Sequence, residues 1–278
     1  MNGQTNFLLG VGAQKSGTTW VHSQLKKHPS VCFGWKKEIS LWGSLWDRNL
    51  ASRQPRKLGT RLRRKLFDFP NGKRIPHYGA FKHVLAHEYF SEFRARAGDH
   101  IQVVGDITPH YAAISPENFS FLRKKTVEYG FRPRVLFGMR DPVSRVISGV
   151  LHANRRLTHP SNDDLVQLIA QTFSTYPVRV RTDYASTIRS IESVFEPGEI
   201  HYYFYEELFS ERTFRGITDW LGIEKSEADF SAIVGGSSHK VEIPDSLRAE
   251  IREYYDSVYV GITEKFGEER VRALWSNF

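Results

Sequence analysis

An apolar run, Phe7 to Val11, gives way to Gly12-Ala13-Gln14-Lys15-Ser16-Gly17-Thr18-Thr19 and then to a helical stretch, Trp20-Val21-His22-Ser23-Gln24-Leu25. A strand, a glycine loop and a helix in this order constrain the fold more than any other feature of the chain. The glycines let the backbone turn tightly, and the first helical turn leaves N–H groups aimed at whatever lies in front of it, an arrangement suited to an anion. In the triphosphate-binding loop GxxxxGK[ST] the lysine follows the second glycine. Here Thr18 follows Gly17, and Lys15 stands two residues before it. An ordinary glycine turn has no need to crowd a lysine, a serine and two threonines together, so the pattern points to an anion site of a different kind.

The rest of the chain alternates strands and helices. Val31 to Phe33, His100 to Asp106, Arg134 to Met139 and Ile200 to Tyr205 read as strands. Helices are expected from Thr18 to about His28, Phe81 to Arg96, from Pro116 with Ser115 as its cap, Val143 to Arg155, near 163 to 174 and 181 to 194, and from Pro244 to about Phe266. This alternation predicts an α/β fold with a parallel sheet covered by helices on both faces. Ligands of such sheets sit beyond the C-terminal strand ends. Lys15, Asp106 and Arg140 each follow a predicted strand at that end.

With 278 residues the chain is expected to form one domain, 1–278, carrying a basic insertion at about 53–74. Thirty-nine Lys and Arg against 31 Asp and Glu give a formal charge of +8, which favours anionic partners. The insertion is either a solvated surface or a docking face for an acidic acceptor. It lacks the interleaved aromatics that stack on bases, so nucleic acid is not an expected partner. The lone cysteine, Cys32, forms no internal disulfide, and no signal peptide or long apolar span is evident. A cytoplasmic protein without an integral membrane segment is the expectation. His83 and His87 have the spacing of one helix face but no evident third ligand, and no metal is expected.

Five further segments carry candidate chemistry. Arg140-Asp141-Pro142-Val143-Ser144 turns a strand into a helix, and the fork of Arg140 suits a phosphate dianion. Trp35-Lys36-Lys37-Glu38 places a Lys-Glu pair after the second strand, readable equally as a solvated pair in a loop or as a carboxylate within reach of a proton to be removed. Gly105-Asp106-Ile107-Thr108-Pro109-His110 offers Asp106 and His110 as alternative bases, and Asp106 is also readable as the magnesium-holding carboxylate of a phosphotransferase. Arg181-Thr182-Asp183-Tyr184 and Ser238-His239-Lys240 are the weakest of the set.

The KSGTT loop, together with Arg140-Asp141-Pro142 and Ser144 in the same order and each after a strand, resembles the donor site of sulfotransferases that use 3′-phosphoadenosine 5′-phosphosulfate (PAPS). The Lys37-Glu38 pair is similar to that of the glycosaminoglycan-type branch, and the chain looks like a soluble, bacterial-like member. The resemblance implies a P-loop-like sulfotransferase fold. It implies donor contacts from Gly12, Lys15, Ser16, Gly17, Thr18, Thr19, Arg140, Ser144, Tyr184 and Lys240, with PAP (3′-phosphoadenosine 5′-phosphate) as product. It makes Glu38 the base and Lys15 the residue that neutralises the leaving phosphate, with no metal required. Trp35, Lys37, Trp42 and Thr108 are then expected on the acceptor side, facing a hydroxyl or amine of a glycan, lipid or small metabolite. Relatives often carry Pro or Val and then His after the glutamate; this chain has Ile39-Ser40. Two rival readings remain at this point, a P-loop kinase using ATP and a non-catalytic protein that binds a nucleotide or polyanion.

Overall fold

The computed structural model describes residues 4–46, 78–225, 227–231 and 240–278. The basic segment 53–74 and Ser238-His239 lie outside the described residues. Five strands, β1 (Asn6–Gly12), β2 (Val31–Phe33), β3 (Val103–Ile107), β4 (Arg132–Met139) and β5 (Ile200–Phe204), form one parallel sheet in the order β2-β3-β1-β4-β5. The helices in chain order are α1 (Thr18–Leu25), α2 (Leu41–Trp46), α3 (Tyr78–Arg96), α4 (Pro116–Glu128), α5 (Pro142–Ala153), α6 (Asn162–Thr172), α7 (Tyr176–Arg179) and α8 (Tyr184–Glu192). They continue with α9 (Tyr205–Leu208), α10 (Glu211–Leu221), α11 (Asp245–Tyr254), α12 (Asp256–Phe266) and α13 (Glu268–Leu274). The expected α/β architecture is the one observed.

Every residue of β1 is buried, as a central parallel strand requires. Its side chains alternate between two cores. Phe7, Leu9 and Val11 join the larger one with Val104 of β3 and residues of α3, α4, α5 and α8. Leu8 joins a smaller one with Trp20, Val21 and Leu25 of α1 and Phe214, Ile217 and Leu221 of α10. The Phe7 ring meets those of Tyr89, Phe90, Phe93 and Phe131 at centroid distances of 4.9–5.9 Å. Removing it would cost about 3–5 kcal/mol in lost transfer energy and cavity.

Several boundaries differ from the sequence reading. The helix expected from Pro244 to Phe266 is two helices, broken at Tyr255. That residue turns into the core, 2% exposed, and its hydroxyl donates to the Phe173 carbonyl at 2.6 Å. The first helix ends at Leu25 rather than His28, and the strand expected from His100 starts at Val103. Among the described residues no helix is long and apolar enough to cross a membrane.

Candidate functional site

The C-terminal ends of β1, β4 and β5 release the chain into one cleft of about 1290 Å³. That is larger than a typical single-ligand pocket of roughly 300–1,000 Å³, and leaves room for two reactants side by side. Gln14, Lys15, Gly17, Thr18 and Thr19 line one part of it, with Arg140 and Ser144 beside them.

The loop after β1 is shaped by its glycines and held by hydrogen bonds. Gly12 has φ 141°, and the space a Cβ would need is taken by the Pro109 carbonyl oxygen at 3.0 Å. Gly17 caps α1 in the left-handed region, φ 81°. Lys15 is also left-handed, φ 70°, a conformation that costs a non-glycine residue free energy and turns its side chain toward the cleft. Ser16 is fully buried and closes the loop from inside, its hydroxyl donating to the Ala13 carbonyl at 2.6 Å. Thr19 accepts a hydrogen bond from the Lys37 ammonium at 2.6 Å.

Arg145 fixes this loop to α5. Its guanidinium is 1% exposed and donates to the Gln14 side chain (3.0 Å), Thr182 Oγ1 (2.8 Å) and the Val178 carbonyl (3.1 Å). Arg140 links the two halves directly: Nη1 donates to the Lys15 carbonyl at 3.3 Å, and its guanidinium lies 4.3 Å from the centroid of the Tyr205 ring. The turn that carries Arg140 is held from several sides. The Tyr184 hydroxyl donates to the Arg140 carbonyl (2.9 Å), the Asp141 N–H donates to Glu206 Oε1 (2.9 Å), and Asp141 Oδ1 caps α5 by accepting from the Ser144 N–H (2.9 Å).

The cleft is electropositive. Burial first, and then the charges of Arg140, Lys37, Arg155 and Arg145, hold the Lys15 ammonium below the usual lysine range. His152, on α5, also lines the cleft; burial, followed by the charges of Lys15 and Arg155, pushes its imidazole down. Glu38 also reaches the cleft, has φ 56°, and is ion-paired with Lys37 at 2.7 Å. His110 lines the cleft as well, and burial aided by the Arg181 guanidinium holds it at about 4, so it is neutral at pH 7. Lys240, at the edge of the described segment, completes the basic lining.

Several sequence candidates are elsewhere. The Asp106 carboxylate is buried and sealed: Oδ2 accepts from Tyr111 (2.7 Å) and Tyr89 (3.1 Å), Oδ1 from Thr108 (2.7 Å) and the Ile39 N–H (3.3 Å). Burial raises its pKa even so. With its oxygens occupied it reaches neither an acceptor proton nor a cleft metal. Thr108 is fully buried as one of those donors, and Trp42 is fully buried against Tyr89, so neither faces an acceptor. Trp35 packs on Tyr89 and Phe93 away from the cleft wall. Tyr184, also fully buried, touches the cleft only through the Arg140 backbone. His87 Nδ1 lies 2.6 Å from the Tyr129 hydroxyl rather than beside His83 at a ligand centre.

The structure adds residues the motifs did not mark. Phe209 and Phe230, each 39% exposed, line the cleft and rest on the buried Trp20 ring at 5.3 and 5.7 Å. On α5, Ser144, Ser148 and His152 follow one another at helical spacing along the cleft wall, with Ile147 and Leu151 beside them. That ladder of small polar residues is visible in the sequence, whereas the pairing of Arg145 with Gln14 is not.

The model of a protein family described as the sulfotransferase family matches residues 8–227. The crystal structure of a sulfotransferase from Alicyclobacillus acidocaldarius is similar with a TM-score of 0.55, over 94% of this chain and 95% of that one, at 18% identity. The sulfotransferase domain of the Synechococcus PCC 7002 olefin synthase gives 0.51 over 96% and 97%, at 16% identity. At such identities the likeness is one of fold. No curated protein matches the chain in sequence.

Proposed function

The chain belongs to the sulfotransferase family, and from that premise we propose that it transfers the sulfuryl group of PAPS to a hydroxyl of its acceptor by in-line displacement. One observation carries this reading: Lys15 and Arg140 stand on one cleft wall and are joined by a hydrogen bond at 3.3 Å. Two anionic ends of one nucleotide need two cationic sites at fixed separation. The N-terminus of α1 with Lys15 suits the phosphosulfate, and Arg140 with Ser144 suits the 3′-phosphate. The exposed faces of Phe209 and Phe230 suit an adenine ring.

In this scheme PAPS supplies an activated sulfuryl group. The acceptor oxygen forms a bond to sulfur as the bond from sulfur to the phosphate oxygen breaks. Glu38 takes the acceptor proton, and Lys15 neutralises charge gathering on the departing phosphate. The Lys37 ammonium, bonded to both Thr19 and Glu38, ties the base to the donor helix and orients its carboxylate. His110, neutral and in the same cleft, is the alternative base. Because the wall beyond the donor carries Ile147, Leu151 and Val241 with Arg248, the acceptor best suited to it is an alcohol with an apolar body, a lipid or small metabolite rather than a densely charged glycan.

The kinase reading is weaker, because it needs an open carboxylate for magnesium at Asp106, whose oxygens already accept four hydrogen bonds. Calorimetric titration with PAP and with Mg-ATP separates the two. Tight PAP binding without added metal, followed by transfer of labelled sulfate from PAPS to an alcohol in an acceptor screen, is the expected outcome. Preference for Mg-ATP would overturn the proposal, and PAP binding with no transfer to any acceptor would leave a nucleotide-binding protein.

A further inference from the structure

The turn assigned to the 3′-phosphate is completed by a residue from the far end of the sequence. Asp141 is 1% exposed. Besides the Ser144 N–H, its carboxylate accepts the backbone N–H of Asn277 on Oδ2 (3.0 Å) and the side-chain amide of Asn277 on Oδ1 (3.0 Å). The second N–H of the same amide is shared between Ser144 Oγ at 3.4 Å and Ser276 Oγ at 3.3 Å. Asn277 is held in place by its neighbours: Trp275 is buried in the larger core, and the Phe278 ring packs on Tyr259 and lies 4.1 Å from the Arg272 guanidinium. Asn277 and these neighbours lie outside the stretch matched by the family model, 8–227.

We propose that Asn277 is a positioning residue for 3′-phosphate recognition, acting through Ser144 and Asp141; the inference rests on the donor reading above. The Ser144 N–H is already used by Asp141, so the hydroxyl is the donor that Ser144 has left to offer. An amide N–H arriving at Ser144 Oγ occupies an oxygen lone pair and turns the hydroxyl hydrogen away from Asn277, leaving it for the cleft that Ser144 lines. The second effect is on Asp141. A carboxylate next to a phosphate site repels the phosphate and competes for nearby donors. Two N–H groups from Asn277 satisfy that carboxylate, so the Ser144 hydroxyl is not drawn back to it. Without the side-chain amide, Asp141 Oδ1 loses a donor, the Ser144 hydroxyl on the same helical turn is left to turn toward it, and the phosphate loses a ligand.

The test is Asn277→Ala, which keeps the backbone N–H and removes only the amide. Calorimetry with PAP and with adenosine 5′-phosphate, which lacks the 3′-phosphate, is run on the same preparations of the 278-residue chain. The expected result is a roughly tenfold weaker Kd for PAP, the loss of about one charge-assisted hydrogen bond, and an unchanged Kd for adenosine 5′-phosphate. The ratio of the two affinities cancels any shared loss of folded protein. In a Ser144→Ala background, Asn277→Ala is expected to have a clearly smaller effect on PAP, because the two residues act in series. Equal weakening of both ligands, an unchanged ratio, or full additivity with Ser144→Ala overturns the inference. A wild-type protein that does not prefer PAP over adenosine 5′-phosphate overturns the donor reading itself, whereas a wild-type preference that Asn277→Ala leaves undiminished overturns the role of Asn277 alone.

Discussion

Gly17→Ala tests whether the donor loop is wedged rather than merely flexible. Gly17 sits at φ 81°, ψ 8°, where a Cβ costs about 1–2 kcal/mol through its clash with the backbone carbonyl. The new methyl would also fall deep inside the van der Waals shell of Leu208 Cδ2 and 3.3 Å from Tyr205 Cδ2. Leu208 is fully buried, so it has no open side to move into. Overpacking of this kind costs about 1–3 kcal/mol. The sum, roughly 2–5 kcal/mol, corresponds to a fall in Tm of about 3–9 °C for a domain of this size. Relief has one cheap direction, outward into the cleft, carrying Lys15 away from Arg140 and loosening α9, whose Tyr205 stacks on that arginine. The variant should therefore melt earlier and bind PAP at least tenfold more weakly, a loss of about 1.4 kcal/mol. Thermal denaturation followed by circular dichroism and calorimetry with PAP read the two effects separately. A variant with wild-type Tm and wild-type affinity would refute the wedge, since both the left-handed backbone and the contact with Leu208 would then be absent in solution.

Three further outcomes are expected. Glu38→Gln should lower transfer of labelled sulfate by about 100- to 10,000-fold while PAP affinity stays as it was; unchanged turnover would move the base to His110, and Asp106 could not take it over. Arg140→Ala should weaken PAP by roughly 10- to 150-fold, the worth of a charged hydrogen bond, and scarcely change adenosine 5′-phosphate; equal losses for both would contradict the assigned contact. The Lys15 ammonium in the free protein is held below the usual lysine range, so it is charged below that lowered pKa and neutral above it. PAP affinity should then fall as pH rises through a value lower than that of an ordinary lysine, and Lys15→Arg, which stays charged, should remove that fall; the same pH profile in both proteins would exclude Lys15 as its source.

The parts of the site that were legible in the sequence are those encoded locally. Phe7 to Val11 followed by a glycine loop, and Leu136 to Met139 followed by Arg140-Asp141-Pro142, each announce a strand, a turn and a helix start within a dozen residues. A parallel sheet then puts both turns at one edge, whatever the rest of the chain does. The misplaced residues, Asp106 and Thr108, were also readable, but only by strand parity. Val104 belongs to the core on the α3 side, and a period of two carries Asp106 and Thr108 to that same side, toward Tyr89 and away from solvent. Trp42 is ambiguous because a tryptophan at the start of a helix after an irregular segment serves equally as a core anchor or as a ligand platform, and its packing on Tyr89 of α3 decides. Arg145 with Gln14, 131 residues apart, and Asn277 with Asp141, 136 apart, have no local signature at all. They exist because α5 and the chain after α13 are brought against the loop by tertiary packing.

The charge arrangement around that loop makes little sense as a device for stability. Lys15 lies in the field of Arg140, Lys37, Arg155 and Arg145, which together depress its pKa, so these cations repel one another in the ligand-free protein. Among the described residues, the hydrogen bonds of the buried Arg145 guanidinium go to the oxygens of Gln14, Val178 and Thr182, all neutral. Burying a guanidinium without a carboxylate costs several kcal/mol unless neighbouring dipoles compensate. Of the two carboxylates that line the same cleft among the described residues, Glu38 and Glu242, Glu38 is already engaged by Lys37. Lys15 and Glu38, moreover, both hold left-handed backbone that other residues avoid. Local rules broken together at one place are what a functional site looks like when the compensating partner is a ligand. The partner that relieves this repulsion must bring negative charge to two points, one at Lys15 and one at Arg140, and a dinegative anion at a single point would leave the other cation unrelieved.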